Sequence, residues 1–276
     1  MIISPHDRID LQIHTIYSDG QWLPPDLFAY LQRERFRVVS ITDHDEMEHL
    51  AELQALGATY GIYVLPGVEM TTNWRGHTAH LLCYAREFRG DTLAALARGT
   101  VATQLANTHA VYEELGRRGY RFAPAGDLPV RPIDNARLLQ THGYATSLDD
   151  ALQMIADAGY RSISVPLAEA VAAAHTSGAL AVLAHPGRGG GEIYQYDVPL
   201  LAEMLAEVPL DGIEVRYPTY SVEQAATYDA FAREHGLLAS AGSDSHGPHQ
   251  RLPVAYPASL CAALLGRCGI PVHQVQ

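Results

Sequence analysis

Val38-Val39-Ser40-Ile41-Thr42-Asp43-His44-Asp45 is an apolar, β-branched run that ends abruptly in a carboxylate, an imidazole and a second carboxylate. The first half reads as a buried strand and the second as the polar mouth of a loop. The pattern recurs along the chain. Asp10-Leu11-Gln12-Ile13-His14 leads into Ser18-Asp19-Gly20, and Gly67-Val68-Glu69 closes another run. Ala184-His185-Pro186-Gly187-Arg188, Gly212-Ile213-Glu214 and Gly242-Ser243-Asp244-Ser245-His246 follow three more. Strands are expected at Ile9 to Ile13, Val38 to Thr42, Ile62 to Val68, His80 to Tyr84, Ala179 to Ala184, Gly212 to Val215 and Leu237 to Ala241. Segments of helical period such as Pro24 to Arg35 and Glu46 to Leu56 separate several of them, and the alternation implies a parallel sheet, open or closed into a barrel.

In parallel α/β folds the carboxyl ends of the strands form the functional face, so groups spread from residue 14 to residue 246 are expected to converge. His80 is the exception, because it begins its strand. A single histidine beside a strand is commonly a hydrogen-bonded structural residue, Asp43 could cap a helix, and Glu214 could pair with an arginine. Six such strand ends together are another matter. Uncompensated carboxylates and imidazoles gathered at one rim cost several kcal/mol each, which divalent cations would offset. His and carboxylate ligands without thiolate point to Zn²⁺, Mn²⁺ or Fe²⁺. Two or three such ions suit attack by an activated water on a phosphate ester, with Arg188 as a forked phosphate clamp.

The rest of the sequence narrows the chemistry. The chain has 276 residues, of which 47% are hydrophobic and 18% charged, enough for one large domain or one domain with an insertion. All 19 basic residues are arginine, since no lysine occurs. A Walker-A phosphate loop, a Schiff-base lysine and a carboxylated-lysine metal bridge are therefore excluded. The formal charge of −12 disfavours a long footprint on nucleic acid, leaving small phosphorylated substrates or a nucleic-acid end. Three cysteines without a Cys-x-x-Cys pair suit a reduced compartment, and no secretory leader or membrane span is expected, which reads as a cytoplasmic protein.

From residue 91 to residue 164 the strand signal vanishes. The segment reads as a helix (Thr92 to Arg117), a Pro-rich loop (Phe122 to Pro132) and a second helix (Ser147 to Ala158, stopped by Gly159). Residues 1–90 and 165–276 would then form the main domain, with 91–164 a helical insertion covering the substrate. Ser221 and Gln224 form a capping box for a helix ending at Gly236, Gly189-Gly190-Gly191 marks a flexible loop, and Leu252 to Gln276 reads as a closing helix.

The ordered series Asp10-Leu11-x-x-His14, Ser18-Asp19-Gly20, Thr42-Asp43-His44-Asp45, Gly67-Val68-Glu69, His77-Thr78-x-His80, Ala184-His185-Pro186-Gly187-Arg188 and Gly242-Ser243-Asp244-x-His246 resembles the PHP (polymerase and histidinol phosphatase) superfamily. It is most similar to the stand-alone phosphoesterases that hydrolyse nucleoside 3′,5′-bisphosphates or AMP and trim RNA from its 5′ end. The resemblance implies a distorted seven-stranded (β/α) barrel with a helical insertion and a trinuclear centre. It assigns one ion to His14, Glu69 and Asp244, a second to Glu69, His80 and His185, and a third to Asp19, His44 and His246, with Glu69 bridging. Glu69, Asp19 and His246 would serve catalysis, and Arg188, Arg161 and His77 would hold substrate.

Two departures stand out. The family motif Asp-Leu-His-x-His is here Asp10-Leu11-Gln12-Ile13-His14, so Gln12 either ligates through its carbonyl oxygen or leaves the first position weak. The insertion's substrate-holding stretches correspond to Arg131-Pro132-Ile133-Asp134 and Arg161-Ser162-Ile163-Ser164, where Arg161 keeps a cationic role. Three functions follow as alternatives: a phosphomonoesterase on a small metabolite such as a nucleotide, a 5′-to-3′ exonuclease, or a metal-binding module of reduced activity.

Overall fold

The computed structural model describes residues 3–122, 128–189 and 194–273. Along these residues the strands are β1 (Arg8–Ile13), β2 (Phe36–Ile41), β3 (Tyr63–Val64), β4 (Gly67–Met70), β5 (Thr72–Trp74), β6 (His77–Thr78), β7 (Leu81–Tyr84), β8 (Val165–Pro166), β9 (Leu180–Leu183), β10 (Gly212–Arg216), β11 (Leu238–Ala241) and β12 (Tyr256–Pro257). The helices are α1 (Pro24–Arg33), α2 (Leu50–Thr59), α3 (Thr92–Arg117), α4 (Pro132–Thr141), α5 (Leu148–Asp157), α6 (Leu167–Thr176), α7 (Val198–Glu207), α8 (Val222–Glu234) and α9 (Ala262–Arg267). The chain divides into two compact units, Met1–Ala97 with Val165–Gln276, and Arg98–Ser164.

In the first unit the fold is mixed α/β, and its sheets are not the parallel sheet that the strand and helix alternation implies. One sheet runs β12-β1-β2-β3, a second β11-β10-β9-β7-β4 and a third β6-β5-β8. β1 with β2 and β9 with β10 and β11 are parallel, but β7 lies antiparallel to both β4 and β9, and β12 antiparallel to β1. The ladders do not close into one seven-stranded ring among the described residues. Isolated bridges at His44–Glu69 and Ile13–Ser245 join the segment just beyond β2 to β4 and the segment beyond β11 to the end of β1.

Alternation of inward apolar residues explains the cores. Leu11, Val38, Leu82, Val182 and Ala241 pack with Leu264 and Leu265 of α9, while Leu81, Leu183, Ile213 and Val215 face α6, α7 and α8. Gly242 is required where β11 ends, because a Cβ there would overlap the Cβ of Gln12 and hold this segment off β1. α8 starts on the expected capping box, with Gln224 N–H donating to Ser221 Oγ at 3.1 Å and Ser221 N–H to Gln224 Oε1 at 3.0 Å. It stops before Gly236, whose φ of 66° lies in the left-handed region.

Other expectations change. The run Ile62 to Val68 splits into β3 and β4, as Pro66 between them has no N–H for a ladder. The helix expected from Glu46 begins at Leu50, because the Glu46 carboxylate takes the His49 N–H at 3.2 Å in a turn. The closing segment is β12, a 3₁₀ turn (Ala258–Cys261) and the short α9 rather than one helix. Residues 123–127 of the expected Pro-rich loop, Gly190 and Gly191 of the glycine run, and residues 274–276 lie outside the described residues.

The second unit is helical. Val111 and Leu115 of α3, Ala136 and Leu139 of α4, and Ala151 and Ile155 of α5 bury one another in a separate core. α5 is capped by Ser147, which accepts the Asp150 N–H at 3.1 Å. Among the described residues no helix is long and apolar enough to cross a membrane.

Candidate metal centre

The antiparallel setting of β7 accounts for His80. Leu81 pairs with Met70 on one side and Leu183 on the other, so the start of β7 lies beside the ends of β4 and β9. His80 thus joins His14, His44, Glu69, His185, Asp244 and His246, all at or just beyond the carboxyl ends of β1, β2, β4, β9 and β11.

Glu69, fully buried, is the hub. Its Oε1 lies 3.1 Å from His80 Nδ1 and 3.1 Å from His185 Nε2, and its Oε2 lies 2.9 Å from His14 Nε2 and 3.9 Å from His44 Nε2. Asp244 Oδ1 is 3.3 Å from His14 Nε2, and Asp19 Oδ2 is 3.1 Å from His246 Nε2. The imidazoles form a chain in space: His246 stacks on His14 at 4.2 Å, His14 lies 4.7 Å from His44, His44 4.8 Å from His80, and His80 5.4 Å from His185. Three groupings bring donor atoms within reach of one ion: His14 with Asp19, His44 and His246; His44 with Glu69 and His80; and His14 with Glu69 and Asp244.

These groups fit cations better than they fit one another. Both ring nitrogens of His14, Nδ1 of His44 and Nδ1 of His80 are buried without a directed hydrogen bond, a costly state for neutral imidazoles and an ordinary one for metal ligands. His246 Nδ1 faces the Asp244 carbonyl at 2.9 Å, which fixes a proton there and turns Nε2 to Asp19 Oδ2, 3.1 Å away. The carboxylates hold their charge. Burial acts to raise Glu69, but His44, His14, His185 and His80 outweigh it and keep its pKa well below the usual range. Asp244 is likewise lowered, with His14 and His185 overcoming burial. Burial pushes His44 down to about 4, so its imidazole is neutral near pH 7 and free to donate a lone pair.

Around this ring stand residues that aim it. Asp43 is no ligand; it accepts the Thr15 N–H at 2.7 Å, the Thr15 hydroxyl at 2.6 Å and the Ser18 hydroxyl at 2.6 Å, fixing the loop from His14 to Asp19. Asp10 ties β1 to the β11 loop through the N–H groups of Ser243 at 2.9 Å and Val254 at 2.9 Å, and burial raises its carboxyl to about 7. His185 and Asp244 have φ values of 28° and 54°, backbone states that cost a non-glycine residue about 1–3 kcal/mol. Glu214 supports the first by accepting the His185 N–H at 2.8 Å. Asp244 Oδ2 receives Arg188 Nη1 at 2.8 Å and the Tyr217 hydroxyl at 2.9 Å, and Arg251 donates to Tyr217 at 2.8 Å.

Tyr217 and Arg251 have no signature in the sequence, whereas Glu214 carries the same strand-end signal as the ligands. Gln12, expected as an oxygen ligand or a weak spot, directs its amide nitrogen at Glu69 Oε2, 2.9 Å away. His77 is exposed and stacks on Tyr194 at 4.0 Å. Arg161 belongs to the second unit, where its backbone N–H meets Asn107 at 3.0 Å and its guanidinium meets the Tyr160 carbonyl at 2.7 Å.

Comparison with known proteins gives this geometry a family. The chain is 30% identical over 258 residues to the 5′-3′ exoribonuclease Rnm of Salmonella typhimurium, covering 87% of this chain and 85% of that protein. It belongs to the PHP superfamily of metal-dependent phosphoesterases. It is accordingly a hydrolase of phosphate esters. It is also 28% identical over 257 residues to a 3′,5′-nucleoside bisphosphate phosphatase of Chromobacterium violaceum, covering 87% of this chain and 88% of that one. No family model matches. Among solved structures, a protein of Bifidobacterium adolescentis described as a candidate metal-dependent phosphoesterase superposes with a TM-score of 0.77 at 23% identity, over 97% of this chain and 96% of that chain, a likeness of fold. An amidohydrolase from Chromobacterium violaceum with bound sulfate superposes with a TM-score of 0.72 at 25% identity, over 90% of each chain.

Proposed function

We propose that this PHP-superfamily chain is a phosphomonoesterase whose substrate is a small phosphorylated metabolite of nucleotide type. The observation that carries the reading is the set of buried imidazole nitrogens without hydrogen bonds around a doubly shared carboxylate. Glu69 would bridge; His14 and Asp244 would complete one position, His80 and His185 a second, and Asp19, His44 and His246 a third. Bound divalent ions would neutralise these carboxylates, polarise a phosphoryl group and lower the pKa of water. The seven strands β2, β1, β11, β10, β9, β7 and β4, in that order, support a barrel-like reading, since the two isolated bridges fall where the ring would close.

The chain's own groups then bind and orient. Arg188 spends Nη1 on Asp244, and its remaining N–H groups suit the non-bridging oxygens of a phosphate. His246, held through Nδ1 by the Asp244 carbonyl and facing Asp19 through Nε2, would serve catalysis by holding and orienting an ion beside the leaving oxygen. The His77–Tyr194 stack offers a flat surface for the organic part.

A second reading, a 5′-to-3′ exonuclease, is favoured by the likeness to the Salmonella exoribonuclease and opposed by the charge of −12 without lysine. The deciding experiment measures bound metal per chain and phosphate release from mononucleotides, nucleoside bisphosphates, histidinol phosphate and short 5′-phosphorylated RNA. Bound metal with preferred turnover of a mononucleotide or bisphosphate supports the proposal. Preferred stepwise shortening of RNA replaces it with the second reading, and turnover by metal-free protein overturns both.

A further inference from the structure

The three groupings are not electrically alike. In the one formed by His14, Glu69 and Asp244, two of the three donor atoms already face an N–H donor: Gln12 Nε2 lies 2.9 Å from Glu69 Oε2 and 3.4 Å from Asp244 Oδ1. His14 Nε2 lies 2.9 Å and 3.3 Å from the same two oxygens, so the amide and the imidazole border one space. Asp244 is compensated from its other side as well, by Arg188 at 2.8 Å and Arg251 at 3.8 Å on Oδ2. Among the described residues no arginine pairs with Glu69, Asp19 or any of the five histidines. The carbonyl end of the Gln12 amide, buried and without a hydrogen-bond partner, is the end that does not meet these carboxylates.

We propose that Gln12 makes the His14–Glu69–Asp244 position the weakest of the three for a cation, its amide N–H standing where the other groupings require an ion. The inference rests on the metal-centre reading above. A cation entering there has to displace the amide N–H from both carboxylate oxygens, and it meets two guanidinium groups already paired with Asp244. Among the described residues no guanidinium faces the donor atoms of the other groupings, and Glu69 turns its second oxygen, Oε1, to His80 at 3.1 Å. The chain therefore fills two positions before the third, and the amide is the cause.

The test is metal stoichiometry of the full-length protein, stripped with chelator and equilibrated at a series of buffered free Mn²⁺ concentrations, for wild type, Gln12→Leu and Gln12→His. Leucine fills a similar volume, removes the N–H and supplies no ligand; histidine supplies a nitrogen. The last ion should half-fill at a free Mn²⁺ concentration lower by on the order of tenfold in Gln12→Leu, the scale on which groups behind metal ligands act. It should fall further in Gln12→His. Last-ion binding in Gln12→Leu that equals or is weaker than wild type overturns the inference, because Gln12 is then a bystander or an oxygen ligand. If Gln12→Leu fails to fold, as circular dichroism would show, Gln12→His decides alone, and a stoichiometry and half-filling unchanged from wild type overturn it. Absence of bound Mn²⁺ in all three folded proteins removes both this inference and the metal-centre reading, a result distinct from equal binding in all three.

Discussion

The two units differ in whether their buried polar groups gather in one place. In the helical unit, charged side chains sit outside and find partners one turn away: Glu114 meets Arg117 at 3.1 Å and Arg118 at 2.8 Å, while the interior is Val111, Leu115, Leu139 and Ile155. In the α/β unit, Gln12, His14, Glu69 and Asp244 are buried where the strands end, close to one another and incompletely hydrogen-bonded. The first arrangement follows from helix propensity and an apolar stripe. The second makes no sense as a stability device, since unpaired buried polar groups cost about 1–3 kcal/mol each. In the helical unit such atoms stand singly, at His109 Nε2 and Asn135 Oδ1, whereas at this rim they gather around one carboxylate, the arrangement of groups held for ligands.

Replacing a carboxylate by its amide is the sharpest way to break the comparison. Glu69→Gln keeps the shape but removes the charge facing His14, His44, His80 and His185. We expect loss of bound metal and of phosphate release together, read by metal analysis and a turnover assay. Full activity in metal-free Glu69→Gln protein would sink the assignment. Arg188→Ala should act differently. Metal is retained, and KM rises roughly tenfold to a hundredfold with a smaller change in kcat, the scale of one charge-assisted hydrogen bond. An unchanged KM would remove Arg188 from phosphate binding.

Metal should also divide the two units by stability. A cation at a hundredfold excess over its Kd adds about 2.7 kcal/mol to the state that binds it. Hydrogen exchange with and without Mn²⁺ should therefore show added protection in peptides spanning residues 8–14, 66–70, 180–185 and 238–246. Peptides spanning 108–116 and 132–157 should stay unchanged. Uniform protection of both units would mean that they respond to the ion as one. Leu139→Ala, in the helical core, is the converse probe. It should destabilise that unit by about 2–5 kcal/mol and leave the number of bound ions as in wild type.

Much of the α/β unit is legible in the sequence because each ligand rides on a hydrophobic run that announces a strand. Short apolar runs, buried almost throughout, mark where β1, β2, β9, β10 and β11 lie, and the polar residue that ends each run falls at the rim. His80 resists that logic, since a strand's direction in its sheet is decided by pairing with β4 and β9, which local pattern does not encode. The same holds for the mixed direction of the sheet β11-β10-β9-β7-β4, which depends on β7 entering reversed. Tyr217 and Arg251 are invisible for another reason: their role is to meet Asp244 Oδ2, and that meeting exists only once β10 and the segment after β11 are packed. Gln12 was visible as a departure, but the direction of its amide was not.

The smallest effect is the control that gives the largest its meaning. Glu114→Gln makes the same atomic change as Glu69→Gln on the exposed face of α3, where arginines hold the carboxyl below its usual range but water screens the charge. Thermal midpoint, metal content and KM should all stay within experimental error of wild type. The contrast isolates environment as the variable, because the substituted atoms are identical. If Glu114→Gln were to cost metal or activity, charge on the helical unit would be contributing to the centre, and the division between a folding unit and a ligand-holding unit would have to be abandoned.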